Sequence, residues 1–228
     1  MVMKNITFQL LTIALILSAL FVGCKKDKKE ESKVQENGLT QEINNLIPDS
    51  IITAMVNLGM PINRGETPPD IAASFLASPF ILKASTILSD VPGYQFSDYT
   101  VTFYEQNNDN LSVKVDYLNG PESGTGLGGF IVGANNSFSV FAEVNSTYSG
   151  KNATLVHVIS GTLTATGIQN LYFANFMLNN NGNPGGIWIE EGDGRVIYDS
   201  DGFSEKVTKA SFENHGNISN AGASLVIK

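Results

Sequence analysis

The sequence predicts a mainly β fold, an antiparallel meander β-barrel with a short N-terminal helical segment. From residue 71 onward, apolar and polar residues alternate with a period of two, as in strands that bury one face. Short stretches rich in Asn, Asp and Gly separate these strands, and no helical pattern lies between them. Consecutive hairpins of this kind favour a barrel, and a two-sheet β-sandwich is the alternative.

The first 24 residues have the pattern of a secretory signal. Lys4 is the only charged residue before Cys24, residues 6–22 are almost continuously apolar, and Gly23 is small. The alternative is a transmembrane helix that is never cleaved. A helix needs about 20 apolar residues to span a bilayer, and this stretch is slightly shorter and contains polar residues. We therefore predict a signal peptide over residues 1–23.

The end of this segment, LFVGC over residues 20–24, resembles the lipobox of bacterial lipoproteins. The resemblance implies cleavage after Gly23 and a diacylglycerol on the thiol of Cys24. Phe21 departs from the family, which prefers leucine at that position. Two or more acyl chains hold a protein stably on a membrane. Cys24 is also the only cysteine, so no internal disulfide is possible.

Residues 25–37, KKDKKEESKVQEN, contain one apolar residue, Val34. Such a segment buries too little surface to offset its ordering entropy, so we predict a disordered tether over residues 24–39. It resembles the start of lipoproteins of the Bacteroidota, in which acidic residues after the cysteine mark export to the outer leaflet. Asp27, Glu30 and Glu31 would serve this role. The alternative is a solvated linker that meets anionic headgroups.

Residues 40–228 are predicted to form a single β-rich domain that begins with helices. This part of the chain contains 8 Lys and Arg and 18 Asp and Glu, a net charge of −10. One domain of this length holds a full core without disulfides. The acidic balance argues against nucleic acid as a partner, because phosphates require basic patches.

The one helical pattern covers residues 40–58. Isoleucines and a methionine recur there at four-residue spacing, at Ile43, Ile47, Ile51 and Met55. Pro48 is tolerated only in a first turn, so the pattern predicts a short helix, a break and a second helix over about residues 48–58. Gly59 fits the position just past its end. We expect this helical segment to plug one end of the barrel.

The predicted strands cover residues 71–77, 80–87, 98–106, 111–118, 126–133, 137–145, 153–166, 171–178, 186–190 and 195–199, with two more near 204–212 and 222–228. The strand over 171–178 is apolar on both faces except at Asn175, so we expect it to be covered on both sides. The helix, loop and first strand are similar to lipocalins in architecture. The Gly-x-Trp signature of lipocalins would fall on Ala73 and Phe75 and is missing, so the resemblance implies nothing about a ligand.

The stretch from Gly124 to Gly129 contains a G-x-G-x-x-G pattern. A dinucleotide site requires a strand before this pattern and a helix after it. The next residues, 130–132, are Phe, Ile and Val and predict a strand. We therefore interpret these glycines as places where the sheet bends or where two backbones approach closely.

Residues 199–202, Asp-Ser-Asp-Gly, resemble the opening of an EF-hand calcium loop. The closing glutamate of that loop would fall at Ala210, so the motif fails. Asp193, Asp199 and Asp201 remain as calcium candidates, and turn formation is the alternative role for them. We predict no metal or other cofactor.

The chain contains two histidines and one tryptophan. His157 aligns with Leu155 and Ile159 in a predicted strand, so it should pack or bond within the sheet, and His215 lies in a turn. No nucleophile, base and orienting acid occur at a recognisable spacing, and we predict that the protein is not an enzyme. Trp188 follows a long polar loop and could stack on a sugar ring, although an aromatic residue in a strand is more commonly part of the core.

Together these patterns predict a lipid-anchored protein of the bacterial cell envelope, at the outer membrane, that binds a ligand or partner. The membrane is reached through lipidated Cys24. The ligand is either a small apolar molecule inside the barrel or a glycan at the loops. The remaining alternatives are a structural or adhesion role and a hydrolase with a carboxylate pair.

Overall fold

The computed structural model describes residues 32–120, 122–148, 150–208 and Leu225. The predicted signal peptide, Gly23, Cys24, Ala210 and His215 lie outside these residues. So does all of the predicted strand over 222–228 except Leu225.

Two helices precede ten strands. The helices are α1 (Gln41–Leu46) and α2 (Asp49–Asn57), and the strands are β1 (Ser74–Ala77), β2 (Phe80–Ser85), β3 (Tyr99–Asn107), β4 (Ser112–Asn119), β5 (Glu122–Ala134), β6 (Ser137–Tyr148), β7 (Lys151–Leu163), β8 (Gly167–Asn179), β9 (Gly194–Asp199) and β10 (Phe203–Val207). The helical pair begins and ends close to the predicted positions. Thr40 caps α1, because its side chain accepts a hydrogen bond from the backbone N–H of Ile43.

The ten strands form one antiparallel sheet that closes in a ring. β1 and β2 run one after the other and pair with β10 and β9, respectively. β9 and β10 in turn both pair with β8. The ring therefore consists of eight lines of strand, with β1 and β2 in one line and β9 and β10 in another. The predicted mainly β fold is confirmed, and we call the closed ring the barrel.

The predicted strand over residues 186–190 is wrong. These residues belong to the loop between β8 and β9. Asn183 closes this loop on itself, since its side chain donates to the backbone oxygen of Trp188 at 2.9 Å and accepts from the backbone N–H of Trp188 at 2.9 Å. β9 pairs with β8 and β2.

The barrel has an apolar interior and a second apolar layer on part of its outer wall. On β8, Phe173 and Met177 face the interior, whereas Ala174 and Phe176 belong to the outer layer. This strand is covered on both sides, as predicted for residues 171–178.

The two helices cover this outer layer. Ile43, Ile51 and Met55 pack there with side chains from β5 to β9. The expectation that the helical segment plugs the barrel is therefore wrong. The physical reason is that β6, β7 and β8 carry apolar residues on both faces, so their outer face also requires an apolar cover.

One end of the barrel carries two long loops, residues 86–98 between β2 and β3 and residues 180–193 between β8 and β9. We call it the long-loop end. Trp188, Ile189 and Leu225 are buried within the interior cluster. Trp188 and Ile189 come from the second of these loops, so loop residues close this end.

The glycine-rich stretch lies within β5, as the interpretation of a bent or closely packed strand requires. A Cβ on Gly129 would lie 2.8 Å from the backbone oxygen of Phe141 in the adjacent strand β6. Gly126 has a φ of +67°, and the register of β4 with β5 shifts between Val115 and Tyr117. These glycines permit a bulge and a close approach of backbones.

Contacts with the domain begin before Thr40, within the range of the predicted tether. Ser32 Oγ donates to Glu66 at 3.1 Å, and the guanidinium of Arg64 donates to the backbone oxygen of Asn37 at 2.6 Å. Among the described residues, no helix has the length and apolarity needed to cross a bilayer.

Candidate functional site

A row of polar side chains crosses the inner wall of the barrel near the long-loop end. The strand register places His157 opposite Asn175, and Asn175 opposite Arg195. Directly paired residues in a sheet share a face, and Phe173 and Met177 on that face of β8 belong to the interior cluster. His157, Asn175 and Arg195 are all buried. We call these three residues, together with Tyr99 and Tyr117, the polar layer.

His157 is enclosed by aromatic rings. Its ring centroid lies 5.0 Å from that of Tyr117 and 4.9 Å from that of Phe173, and both contacts are edge-on. Burial lowers the pKa of His157 to about 3, so the imidazole is neutral at physiological pH. Its Nε2 is buried without a hydrogen-bond partner in the described part of the chain.

The two tyrosines of the layer carry protonated hydroxyl groups. Tyr99 stacks on Phe80 with 5.0 Å between ring centroids, and its buried hydroxyl has no hydrogen-bond partner among the described residues. Burial raises the pKa of Tyr99 well above its ordinary value. Burial, with a contribution from the negative charge of Glu122, also raises the pKa of Tyr117.

Arg195 is held by a carboxylate from the first long loop. Its Nε donates to Oδ2 of Asp90 at 2.6 Å, and its Nη2 donates to Oδ1 at 3.1 Å. Burial alone would raise the pKa of Asp90, but hydrogen bonds from Arg195 and Ser85 outweigh it, so this pKa lies below its ordinary value. The two charges offset each other, which leaves the polar layer close to neutral.

Leu225 reaches this layer from the C-terminal part of the chain. Its backbone oxygen accepts from Asn175 Nδ2 at 3.0 Å and from Arg195 Nη1 at 2.8 Å. Its backbone N–H donates to Glu122 at 2.8 Å. Its side chain is fully buried in the interior cluster.

An open cleft of about 430 Å³ lies at the same end, between the two long loops. Its lining consists of Thr86, Ile87, Leu88, Ser89, Ile189, Glu190 and Asp193. Ile87 and Ile189 also pack against the interior cluster, so they lie between the cleft and the barrel core. The hydroxyl of Thr86 donates to Asp193 at 2.7 Å and joins the two loops.

The polar layer is suited to hydrogen bonding with an uncharged group. Three of its atoms are buried without a partner in the described part of the chain: Tyr99 Oη, His157 Nε2 and Asn175 Oδ1. An unsatisfied buried polar atom costs about 1–3 kcal/mol, so native proteins normally give such atoms a partner. The layer therefore offers a donor and acceptors in an otherwise apolar enclosure.

The residue proposed for sugar stacking does not face solvent. Trp188 is fully buried and packs in the barrel core, which is the commoner role for an aromatic residue in such a position.

The three calcium candidates do not form a cage. Asp193 accepts from Thr86, Asp199 is buried and accepts from Ser204 Oγ at 2.6 Å, and Asp201 accepts from the backbone N–H of Phe203 at 2.8 Å. Across the described ranges, no three His, Cys, Asp or Glu side chains are close enough to hold a metal ion. The hydrogen bond from Phe203 to Asp201 is typical of a turn, so Asp201 has the alternative role of turn formation.

Sequence reasoning placed His157 inside the sheet but did not identify the rest of the polar layer. Asn175 is the one polar residue of an otherwise apolar predicted strand, and this was the sequence signal that marked it. Arg195 carried a weaker signal: it is one of only two arginines, and it lies two residues before Ile197, which faces the interior. Tyr99 and Tyr117 resembled ordinary strand aromatics.

No family model, no curated protein and no solved structure matches the chain. The polar layer, the cleft and the lipobox-like sequence over residues 20–24 are thus the features from which a function can be proposed.

Proposed function

We propose that this chain is a lipid-anchored protein of the bacterial cell envelope that binds a small molecule inside its barrel and catalyses no reaction. The observation that carries the proposal is a set of three buried atoms in the polar layer that have no hydrogen-bond partner among the described residues: Tyr99 Oη, His157 Nε2 and Asn175 Oδ1. Their cost is large against a typical folding stability of about 5–15 kcal/mol. A bound molecule that hydrogen-bonds to them removes this cost.

The surroundings of the layer define the class of ligand. Phe80, Phe173 and Trp188 provide apolar and aromatic walls. Because Asp90 offsets the charge of Arg195, the interior favours a molecule that is mostly apolar and carries an uncharged hydrogen-bonding group. This pattern, an apolar enclosure with a few polar groups, is typical of small-molecule sites.

Binding without catalysis fits the titration of His157. A general base works best when its pKa lies near the operating pH, and the pKa of His157 is about 3. Its Nε2 makes no hydrogen bond to a nucleophile in the described part of the chain.

The proposed location at the outer membrane rests on the lipobox. Gly23 and Cys24 supply the cleavage and lipidation positions, and Asp27, Glu30 and Glu31 follow as in exported lipoproteins of the Bacteroidota. A protein anchored in this way would present its barrel to the medium around the membrane.

The glycan and structural alternatives have weaker support. Trp188 is buried, Tyr94 is exposed, and Tyr172 and Tyr198 stack on the outer wall beneath Lys83 Nζ, which lies 5.0 and 5.7 Å from their ring centroids. A structural role through exposed edges is disfavoured because the described strands close into a ring.

Native mass spectrometry tests this proposal. The full chain would be produced in a bacterium that processes lipoproteins and extracted in a mild detergent. We expect one small molecule per chain, which denaturation releases. Asn175→Leu should lower the occupancy at least tenfold, whereas Tyr172→Phe, on the outer face of the same strand, should leave it unchanged. An empty wild-type protein that takes up nothing from a total cell extract would contradict the proposal.

A further inference from the structure

Leu225 makes the contacts expected of a bound peptide unit. Its N–H donates to the Glu122 carboxylate, its carbonyl accepts from Asn175 and Arg195, and its aliphatic side chain is fully buried in the barrel core. The N–H, the carbonyl oxygen and the side chain of this one residue therefore all have partners in the barrel at the same time.

These contacts join opposite walls of the barrel. Glu122 lies on β5, whereas Arg195 lies on β9, and three lines of strand lie between them in either direction around the ring. Each of the three hydrogen bonds joins the backbone of Leu225 to a side chain. A pocket binds a peptide through such side-chain contacts, whereas an added strand pairs with a sheet edge through backbone groups.

We propose that Asn175 Nδ2, Arg195 and Glu122 form a binding site for a peptide segment with an aliphatic residue, and that Leu225 of the chain itself occupies this site. The inference goes beyond the proposed function, in which the small molecule uses Tyr99 Oη, His157 Nε2 and Asn175 Oδ1. An external peptide that presents the same N–H, carbonyl and aliphatic side chain displaces Leu225.

The charges at the site favour a peptide over a fatty acid. Asp90 already takes two hydrogen bonds from Arg195, so the guanidinium has little net positive charge to offer a carboxylate. Glu122 adds a negative charge at the opposite wall and accepts a hydrogen bond from the N–H of Leu225. An amide provides that donor and an uncharged acceptor together, whereas the carboxylate of an ionised fatty acid provides neither.

A tethered segment competes with an external peptide at an effective concentration on the order of millimolar. Displacing the segment should therefore strengthen the apparent affinity for an external peptide by about tenfold or more.

The test uses a fluorescent peptide with the sequence of residues 219–228, SNAGASLVIK, and measures its anisotropy with the full chain. In the Leu225→Glu chain the tail carries a charge that the apolar interior rejects, so this chain should bind the peptide at least tenfold more tightly than wild type. Adding Asn175→Leu to it should abolish the gain, and adding Tyr172→Phe should preserve the gain. The same peptide with Leu225→Asp should not bind.

The Leu225→Glu chain could fail to bind because it fails to fold, so a second variant ends at residue 220. Circular dichroism measures the folded structure of both variants. We expect each to fold alone or to regain structure when the peptide is added. If neither binds the peptide and neither is restored by it, Leu225 is part of the core and the inference is overturned.

Native mass spectrometry of wild type and of the chain that ends at residue 220 distinguishes the failure of this inference from the failure of the proposed function. If a small molecule is retained equally by these two chains, and the peptide binds neither, the peptide inference fails and the proposed function stands. If neither chain binds a small molecule or the peptide, both fail.

Discussion

His157 is a titratable group held neutral inside an apolar barrel. Because its pKa is about 3 in the folded state, the unfolded chain takes up a proton below the ordinary value of 6.5 while the folded chain does not. Stability should therefore fall as the pH drops from 6.5 toward 3.

His157→Phe keeps a ring against Tyr117 and Phe173 and removes this titration. We expect the variant to lose less stability than wild type between pH 6.5 and 4, as measured by urea unfolding at each pH. Parallel pH profiles for the two proteins would contradict the burial of a neutral imidazole.

Asp199 shows the opposite dependence. Burial, and to a smaller extent the neighbouring charge of Asp201, raise its pKa from 3.8 to about 6. The unfolded chain loses this proton from about pH 4 upward, whereas the folded chain keeps it until about pH 6. Stability should therefore fall as the pH rises through this window, and the loss should persist above it.

Asp199→Asn removes the charge and keeps an acceptor for Ser204. We expect a higher melting temperature than wild type at pH 7.5 and nearly the same one at pH 4. Asp109→Asn, at an exposed turn, serves as the control and should change neither value. A variant that is less stable than wild type at pH 7.5 would show that the carboxylate is stabilising there.

Single residues were predictable from the sequence where their neighbours in the strand determined their environment. His157 shares a face with Leu155 and Ile159, so its place inside the sheet followed from the period of two. The pairing of Arg195 with Asp90 did not follow, because it joins a strand to a loop 105 positions away. The contacts of Leu225 with Glu122 and Asn175 did not follow either, because they span 103 and 50 positions.

At the scale of elements, α2 tests the second apolar layer. Met55 is fully buried against the outer wall of the barrel, whereas Val56 next to it is 48% exposed. Met55→Ala should lower the free energy of unfolding by about 2–5 kcal/mol. Val56→Ala should change it by about 0.5 kcal/mol or less. Urea unfolding measures both, and equal effects would mean that α2 does not cover the barrel.

The elements themselves were largely predictable, and their partners were not. An apolar stripe at four-residue spacing predicts a helix and a buried face, but it does not say whether that face meets the end or the wall of a barrel. The run of Ile187, Trp188 and Ile189 suited a strand by composition. The side chain of Asn183 folds it into a loop through contacts that local propensity does not report.

At the scale of the molecule, the closed ring depends on pairings that the sequence leaves open. Sequential hairpins predicted a meander, whereas closure depends on β8, which pairs with β10 along its first residues and with β9 further on. This arrangement groups ten strands into eight lines and brings both long loops, the cleft and Leu225 to one end.

The proposed anchor concerns the whole molecule, because it determines where the barrel works. In a bacterium that processes lipoproteins, the wild-type chain should appear in the membrane fraction and incorporate labelled palmitate. Cys24→Ser should lose the label, whereas Lys25→Ala should keep it. A Cys24→Ser chain that stays in the membrane with residues 1–23 uncut, beside a wild type without label, would favour the retained helix over the lipobox.

The central claim is that the polar layer binds a molecule inside the barrel. The most direct measurement is a high-resolution crystal structure of the full chain, extracted from its membrane in mild detergent and never denatured. We predict continuous density for an organic molecule or a peptide segment within hydrogen-bond distance of at least two of Tyr99 Oη, His157 Nε2 and Asn175 Oδ1. Density for ordered water alone at these three atoms would contradict the claim.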